Sequence, residues 1–275
     1  MPLKIFYISS EVDPFSNTYI LSKIAKKIAI KFQDNPEVEI RLLHPKYGFI
    51  SERKYILREV IRLKDFPVDF NGKEKLVSIK SAFIPESRAQ IYFLEDEIYF
   101  KPVPELLYKS RNGRIFKDNS EKFLLFSKVA LETLKQLLWV PDLIICNDWQ
   151  TAFLPALFKE QYSNIDTFKD TKIIYTMLSI NEYRYYSNDA LSKIGLTLPK
   201  DGSKEQDSLV SAIENSDKVV CLDFDKSLSN DLSKKASINK VLKSANHEFI
   251  NMPKTPGFSD WKEMISSFYS IINKS

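Results

Sequence analysis

Residues 141–152 read Pro-Asp-Leu-Ile-Ile-Cys-Asn-Asp-Trp-Gln-Thr-Ala, an apolar run that gives way to polar residues. The run 142–146 is typical of a strand that is buried on both faces. One helix is predicted before this strand, starting near residue 119, and another after it, at 150–161. A second apolar strand is predicted at 172–177. Helices that alternate with apolar strands predict a parallel sheet covered on both faces.

The same alternation occurs nearer the two ends of the chain. Strands are predicted at 4–9, 38–43 and 218–222, and helices at 17–33, 206–215, 226–233 and 259–272. Ser16 or Asn17 is predicted to cap the helix 17–33, and Asp118 with Glu121 to form a capping box at the helix near 119. The sequence therefore predicts an α/β fold, a doubly wound, mostly parallel, Rossmann-like sheet, in a single domain of residues 1–275.

The segment 53–104 follows a different pattern. Strands are predicted at 55–63, 74–83 and 89–94, with no helix between them. Asn71 and Gly72 form a dipeptide that favours a hairpin turn. We therefore predict an antiparallel insertion at the edge of the sheet.

The composition excludes several classes of function. The 275 residues include only six glycines, and no two of them are close enough to form a Gly-rich phosphate loop. The 40 Lys and Arg are interspersed with 36 Asp and Glu, which gives a net charge of +4 and no nucleic-acid signature. With two histidines, a multi-histidine metal centre is excluded, and we expect no metal and no cofactor.

The chain also lacks the sequence signals of membrane insertion and secretion. No apolar run approaches the roughly 18 residues of a membrane span, and the N-terminal apolar stretch is too short for a signal peptide. Cys146 and Cys221 each lie in an apolar run that is predicted to be a buried strand, and we expect two free, buried thiols, as in a protein of a reducing compartment. We therefore expect a cytoplasmic protein with no membrane partner.

Five segments, in order, resemble motifs of bacterial glycogen synthases and plant starch synthases. They are Ile8-Ser-Ser-Glu-Val-Asp-Pro-Phe15, Pro45-Lys-Tyr-Gly48, Phe116-Lys-Asp-Asn-Ser-Glu-Lys-Phe123, the stretch 141–152 and Ala212-Ile-Glu-Asn-Ser-Asp-Lys-Val-Val220. The resemblance implies the GT-B fold, in which the N-terminal half contacts the glucan acceptor and the C-terminal half binds most of the ADP-glucose donor. This chain matches the N-terminal half only.

Residues 258–273 look like the last helix of these enzymes, which begins with a Trp and packs back on the N-terminal domain. Our hypothesis is that an internal deletion removed the donor domain and kept this helix, because its docking groove would otherwise be exposed. In the alternative, Trp261 simply anchors an unrelated C-terminal helix.

Two motifs of the family are altered. Where the family has "K-T-G-G-L", this sequence has Asn17-Thr-Tyr-Ile-Leu21, so Asn17 replaces a Lys that faces donor phosphate, and Tyr19 and Ile20 replace two glycines. Side chains there block the close approach of backbone N–H groups to a phosphate, and we predict that the loop has become an ordinary helix start. Leu178 stands where the family has an active-site histidine. We therefore predict no catalytic residue.

Five residues remain candidates for binding a sugar or another ligand: Glu11, Asn119, Asn147, Asp148 and Trp149. Asn147, Asp148 and Trp149 follow a predicted parallel strand, at the edge of an α/β sheet where ligands bind. Asp148 could contact a sugar hydroxyl and Trp149 could stack on a sugar ring. In the alternative, Asn147 or Asp148 caps the next helix, Trp149 fills the core, and Asn119 belongs to a helix cap. Glu11 could instead accept hydrogen bonds from nearby backbone amides.

Three functions stay open on the sequence. The first is a protein without glucosyltransferase activity of its own that binds an α-glucan or a glycogen-synthesis protein, and a homodimer is compatible with it. The second is one half of a split ADP-glucose-dependent synthase, completed by a separate donor-binding chain. The third is an enzyme with different chemistry in the old cleft, against which the lack of a nucleophile–base motif weighs.

Overall fold

The computed structural model describes residues 2–101, 106–198 and 202–274. Residues 102–105, which include the end of the predicted insertion 53–104, lie outside the described residues, as do both terminal residues of the predicted domain 1–275. Among the described helices, none combines the length and the hydropathy needed to cross a bilayer.

The helices and strands alternate as the sequence predicts. The helices are α1 (Leu21–Gln33), α2 (Glu52–Tyr55), α3 (Asn119–Leu137), α4 (Leu154–Gln161), α5 (Asn188–Ser192), α6 (Ser208–Asn215), α7 (Ser227–Lys234), α8 (Ala236–Ser244) and α9 (Phe258–Ile272). The strands are β1 (Leu3–Ile8), β2 (Val38–Pro45), β3 (Arg58–Glu59), β4 (Phe66–Phe70), β5 (Lys73–Phe83), β6 (Gln90–Glu95), β7 (Leu143–Asn147), β8 (Lys172–Met177), β9 (Tyr185–Ser187), β10 (Glu205–Asp207), β11 (Lys218–Phe224) and β12 (His247–Met252).

The main sheet has the order β12-β11-β8-β7-β1-β2-β6-β5-β3, and β4 pairs with β5. Neighbouring strands from β12 to β6 are parallel. Every residue of β7 is buried, as its apolar sequence requires for a strand covered on both faces. The prediction of a doubly wound, mostly parallel α/β sheet is confirmed.

The insertion differs in part from the prediction. The antiparallel strands are β3, β4 and β5, whereas β6 pairs in parallel with β2 and so belongs to the parallel sheet. The predicted strand 55–63 is wrong, because this segment contains the end of α2, the two-residue β3 and a short 3-10 helix, Ile61–Leu63. The predicted turn is confirmed, since Asn71 and Gly72 both have positive φ and join β4 to β5.

The C-terminal segment adds a helix and a strand that the sequence analysis did not predict, α8 and β12. Helix α9 then packs against α1 and β12. The Phe32 ring of α1 lies 5.7 Å from the ring of Tyr269 and 6.3 Å from that of Phe268. Trp261, at the start of α9, lies under the ammonium group of Lys27 at 5.1 Å. The helix predicted at 258–273 is therefore seated on the face of the domain that carries α1.

Candidate functional site

The centre of the sheet contains a topological switch point. From β1 the chain moves to β2 on one side, whereas β7, on the other side of β1, leads away to β8. In open α/β sheets, ligands bind outside the carboxyl ends of strands at such a point. Glu11 lies just beyond the end of β1, and Asp148 lies just beyond the end of β7. We call the space between these two strand ends the switch-point crevice.

Glu11 is fully buried and is held by hydrogen bonds at both carboxylate oxygens. The Tyr108 hydroxyl donates to its Oε1 at 2.8 Å, and the backbone N–H and side-chain hydroxyl of Thr18 donate to Oε2 and Oε1. Burial raises the pKa of Glu11, and the bonds from Thr18 and Tyr108 oppose that rise. Glu11 thus binds a backbone amide of its own loop, one of the two roles that the sequence left open.

Asp148 is also fully buried, at the opposite wall of the crevice. The Tyr19 hydroxyl donates to its Oδ2 at 3.0 Å, while Oδ1 has no hydrogen-bond partner among the described residues. Burial raises the pKa of Asp148 to about 7, although the bond from Tyr19 opposes the rise. Its φ of 56° is positive, a conformation that costs a residue other than glycine about 1–3 kcal/mol.

Tyr19 spans the switch-point crevice. Its hydroxyl reaches Asp148 and accepts a hydrogen bond from Gln150 at 3.0 Å, and its ring meets the Tyr108 ring edge-on at 6.2 Å. Because Tyr108 in turn bonds to Glu11, these side chains join the two strand ends. A tyrosine therefore occupies the place where the resemblance puts a glycine.

The loop before α1 is not the helix start that the sequence predicted. Helix α1 begins at Leu21, and no side chain caps it. The Ser16 hydroxyl bonds to His44 Nε2 at 2.8 Å, and Asn17 accepts a hydrogen bond from the Ser22 hydroxyl at 2.7 Å. The two predicted caps are used in these other contacts, so residues 16–20 remain a loop that carries Tyr19 into the crevice.

Trp149 lies in the core. Its side chain is 2% exposed, and the Tyr183 ring stacks on it at 5.0 Å with an interplanar angle of 21°. Tyr108 and Phe123 meet its edges at 5.2 and 5.1 Å. Because Trp149 is buried and the Tyr183 ring already stacks on it, Trp149 is not available as a surface for stacking a sugar ring.

The two asparagines connect the strand ends to their surroundings. Asn147 Nδ2 donates to the Ile8 carbonyl at 2.9 Å, which ties the end of β7 to the end of β1. Asn119 Nδ2 donates to the Tyr108 carbonyl at 2.8 Å and so positions that tyrosine. Both asparagines are buried, and in each case the amide oxygen has no partner among the described residues.

The helix caps considered for Asp148 and for Asp118 with Glu121 are wrong. The side chain of Asp148 does not cap the 3-10 helix Trp149–Thr151 that follows it, and that of Asp118 does not cap α3. Glu121 instead accepts hydrogen bonds from the Tyr99 hydroxyl at 2.7 Å and from Lys193 at 2.6 Å. Tertiary contacts with distant residues have replaced the local hydrogen bonds of a capping box.

Leu178 and Asn17 stand at the altered family positions. Leu178 follows β8, is buried, and offers no side-chain hydrogen bond to the crevice. Asn17 is exposed and carries no charge. The sequence analysis missed Tyr108, which no motif marks, because its role depends on contacts with Glu11 and Tyr19 across almost 100 residues of sequence.

Comparison with known proteins identifies a family. Residues 4–226 match the family model described as the starch synthase catalytic domain. The glycogen synthase of Pelodictyon phaeoclathratiforme is 34% identical over 221 residues, which are 78% of this chain and 44% of that protein. The glycogen synthase of Chlorobium limicola is 37% identical over 177 residues, or 64% of this chain and 36% of that protein. The chain thus spans less than half the length of these curated relatives.

A solved structure agrees with this result. The catalytic domain of starch synthase IV from Arabidopsis thaliana, solved with ADP and acarbose, superposes with a TM-score of 0.73 at 21% identity. The match covers 91% of this chain and 51% of that one, so the shared fold is that of about half of the plant domain. The resemblance in the sequence motifs is confirmed, and this chain belongs to the starch synthase catalytic domain family.

Proposed function

We propose that this chain is a glycogen synthase-like protein that does not transfer glucose itself and that acts by binding a glycogen-synthesis protein or an α-glucan. The observation that carries the proposal is the position of Tyr19, which spans the switch-point crevice and donates a hydrogen bond to Asp148 at 3.0 Å. A donor phosphate needs an open approach to backbone N–H groups there, and the tyrosine side chain stands in that space.

The other altered positions support the same proposal. Glucosyl transfer needs groups that stabilise the charge that develops in the transition state. Asn17 supplies no positive charge for a phosphate, and Leu178 supplies no hydrogen bond for the transferred sugar. The two buried carboxyls, Glu11 and Asp148, already have donors from within the chain. Because Tyr19 spans the crevice and bonds to Asp148 across it, we favour a protein partner on the outer surface over a glucan in the crevice.

The proposed location is the cytoplasm. Cys146 and Cys221 are both free and buried, and burial raises the pKa of the Cys221 thiol to about 12. Unreactive, unpaired thiols suit a reducing compartment.

Calorimetric titration of the purified protein with ADP-glucose tests whether Tyr19 prevents the donor from binding in the crevice. We expect no saturable heat up to millimolar donor, because Tyr19 and the missing Lys leave no phosphate site. Saturable binding at micromolar ADP-glucose would contradict the proposal.

Native electrophoresis in gels that contain glycogen then distinguishes the two proposed ligands. Retarded migration would identify an α-glucan as the ligand, whereas unretarded migration would exclude the glucan and favour a protein partner.

A split synthase is the second candidate. The observation that favours it is the extent of the match, which is 44% of the length of the Pelodictyon enzyme. It requires a donor-binding chain that restores ADP-glucose turnover when the two are mixed. The replacements at Asn17 and Leu178 weigh against it, because the donor-binding chain would also have to supply, in trans, the positive charge and the hydrogen bond that these two positions lack.

A further inference from the structure

The main sheet ends in two edges of different kinds. At one end, β5 is flanked by β3, whose two residues Arg58 and Glu59 are both charged and exposed, and by β4, which carries an exposed proline, Pro67. At the other end lies β12, which has six residues. Short strands and charged side chains are the usual protection of an edge against pairing with another chain. The end with β3 and β4 has this protection, whereas β12 contains no Lys, Arg or Pro.

The hydrogen bonds of β12 show which of its backbone groups are free. Val219 N donates to the Asn246 carbonyl at 2.9 Å, and Asp225 N donates to the Met252 carbonyl at 2.8 Å. Along a parallel ladder, every second residue of a strand faces the same neighbour. The even-numbered residues of β12 therefore bond to β11, and the backbone groups of His247, Phe249 and Asn251 point away from the sheet. Among the described residues, none bonds to these outward groups.

The side chains of the outward residues also suit a contact. Phe249 is 37% exposed, and the His247 ring meets it edge-on at 5.8 Å. Glu248, the one charged residue of the strand, is already paired with Lys218 at 2.8 Å. The edge is thus a row of free backbone donors and acceptors beside an exposed aromatic ring.

We propose that β12 pairs antiparallel with β12 of a second copy of this chain, about a two-fold axis at Phe249. This register sets Phe249 against Phe249 of the second copy and His247 against Asn251 of the second copy. Glu248 then lies opposite an isoleucine, so no like charges face each other. The contact is isologous, as two-fold symmetry requires, and it joins the two sheets into one. The dimer proposal does not depend on whether the chain transfers glucose.

The test is the mass in solution, measured by sedimentation equilibrium from low to high micromolar protein. We expect a dimer of the 32.0 kDa chain. Phe249→Lys places two ammonium groups against each other at the axis, and Asn251→Pro removes an outward N–H that β11 does not use. Each variant should raise the dimer dissociation constant by roughly tenfold or more.

Leu76→Lys is the matched control, since Leu76 is a 60% exposed residue of β5, remote from this edge. It should leave the dimer unchanged, and at protein concentrations at which the wild type is monomeric all three variants should keep its thermal unfolding transition. A wild-type monomer at every concentration would overturn the proposal. So would a dimer that survives both edge substitutions.

Discussion

Substitution of Asp148 by Asn should stabilise the protein, and the gain should grow with pH. Asp148 is fully buried, and burial raises its pKa from 3.8 to about 7. Asn has nearly the same shape as Asp, can accept the same hydrogen bond from Tyr19, and places the same Cβ on this backbone of positive φ. The substitution therefore removes the ionisation of the carboxyl while it preserves the contacts around it.

The sign and size of the effect follow from linkage. Between pH 3.8 and about 7 the native state keeps a proton that the unfolded chain has released, so the free energy of unfolding falls as pH rises through this window. About three pH units at 1.36 kcal/mol per unit correspond to about 4 kcal/mol. The Asp148→Asn variant lacks this loss. Its advantage over the wild type should be near zero at about pH 4 and reach as much as about 4 kcal/mol at about pH 8.

Urea unfolding of both proteins across this pH range measures the difference directly. The matched control is Asp225→Asn, the same change at another residue with positive φ, 54°, that is exposed to solvent. No gain that grows with pH is expected there. The reasoning would be refuted if the difference in free energy of unfolding between Asp148→Asn and the wild type were independent of pH or shrank as pH rises. Either result would mean that no ionisable carboxyl is buried at this site.

Three further predictions concern the crevice and the core. Tyr19→Phe removes the donor to Asp148 and should cost about 1.5–3 kcal/mol at about pH 8, where the carboxylate is charged; carbon NMR of the carboxyl should show its pKa rise. His44 is fully buried, which lowers its pKa to about 3, so His44→Gln should abolish an acid-side loss of about 3 kcal/mol between about pH 6.5 and 4 in urea unfolding. Phe268→Ala should cost about 3–5 kcal/mol, whereas Phe258→Ala, at an 87% exposed residue, should change stability by less than about 0.5 kcal/mol.

The parallel strands were predictable because burial on both faces leaves a continuous apolar run. β1, β7 and β8 all carry that signature. β12 does not, because its sequence His-Glu-Phe-Ile-Asn-Met mixes exposed and buried residues at the end of the sheet. It was therefore missed, as was α8 before it.

The site could be predicted only in part. The motif positions placed Glu11 and Asp148 at strand ends that the fold brings together. The local signals failed: Ser16, Asn17 and Glu121 suit helix caps, yet their side chains bond elsewhere. The hydrogen bond from Tyr19 to Asp148 joins residues 129 positions apart in the chain, and no periodicity or propensity reports such a contact.

Incorporation of radiolabelled glucose from ADP-glucose into glycogen tests the central claim most directly. The purified protein is incubated with donor and acceptor beside an active glycogen synthase as positive control. If Tyr19 fills the crevice and Asn17 and Leu178 leave transfer unsupported, the label in glycogen stays at the level of a protein-free blank. Incorporation that grows with time and with protein concentration would contradict the account.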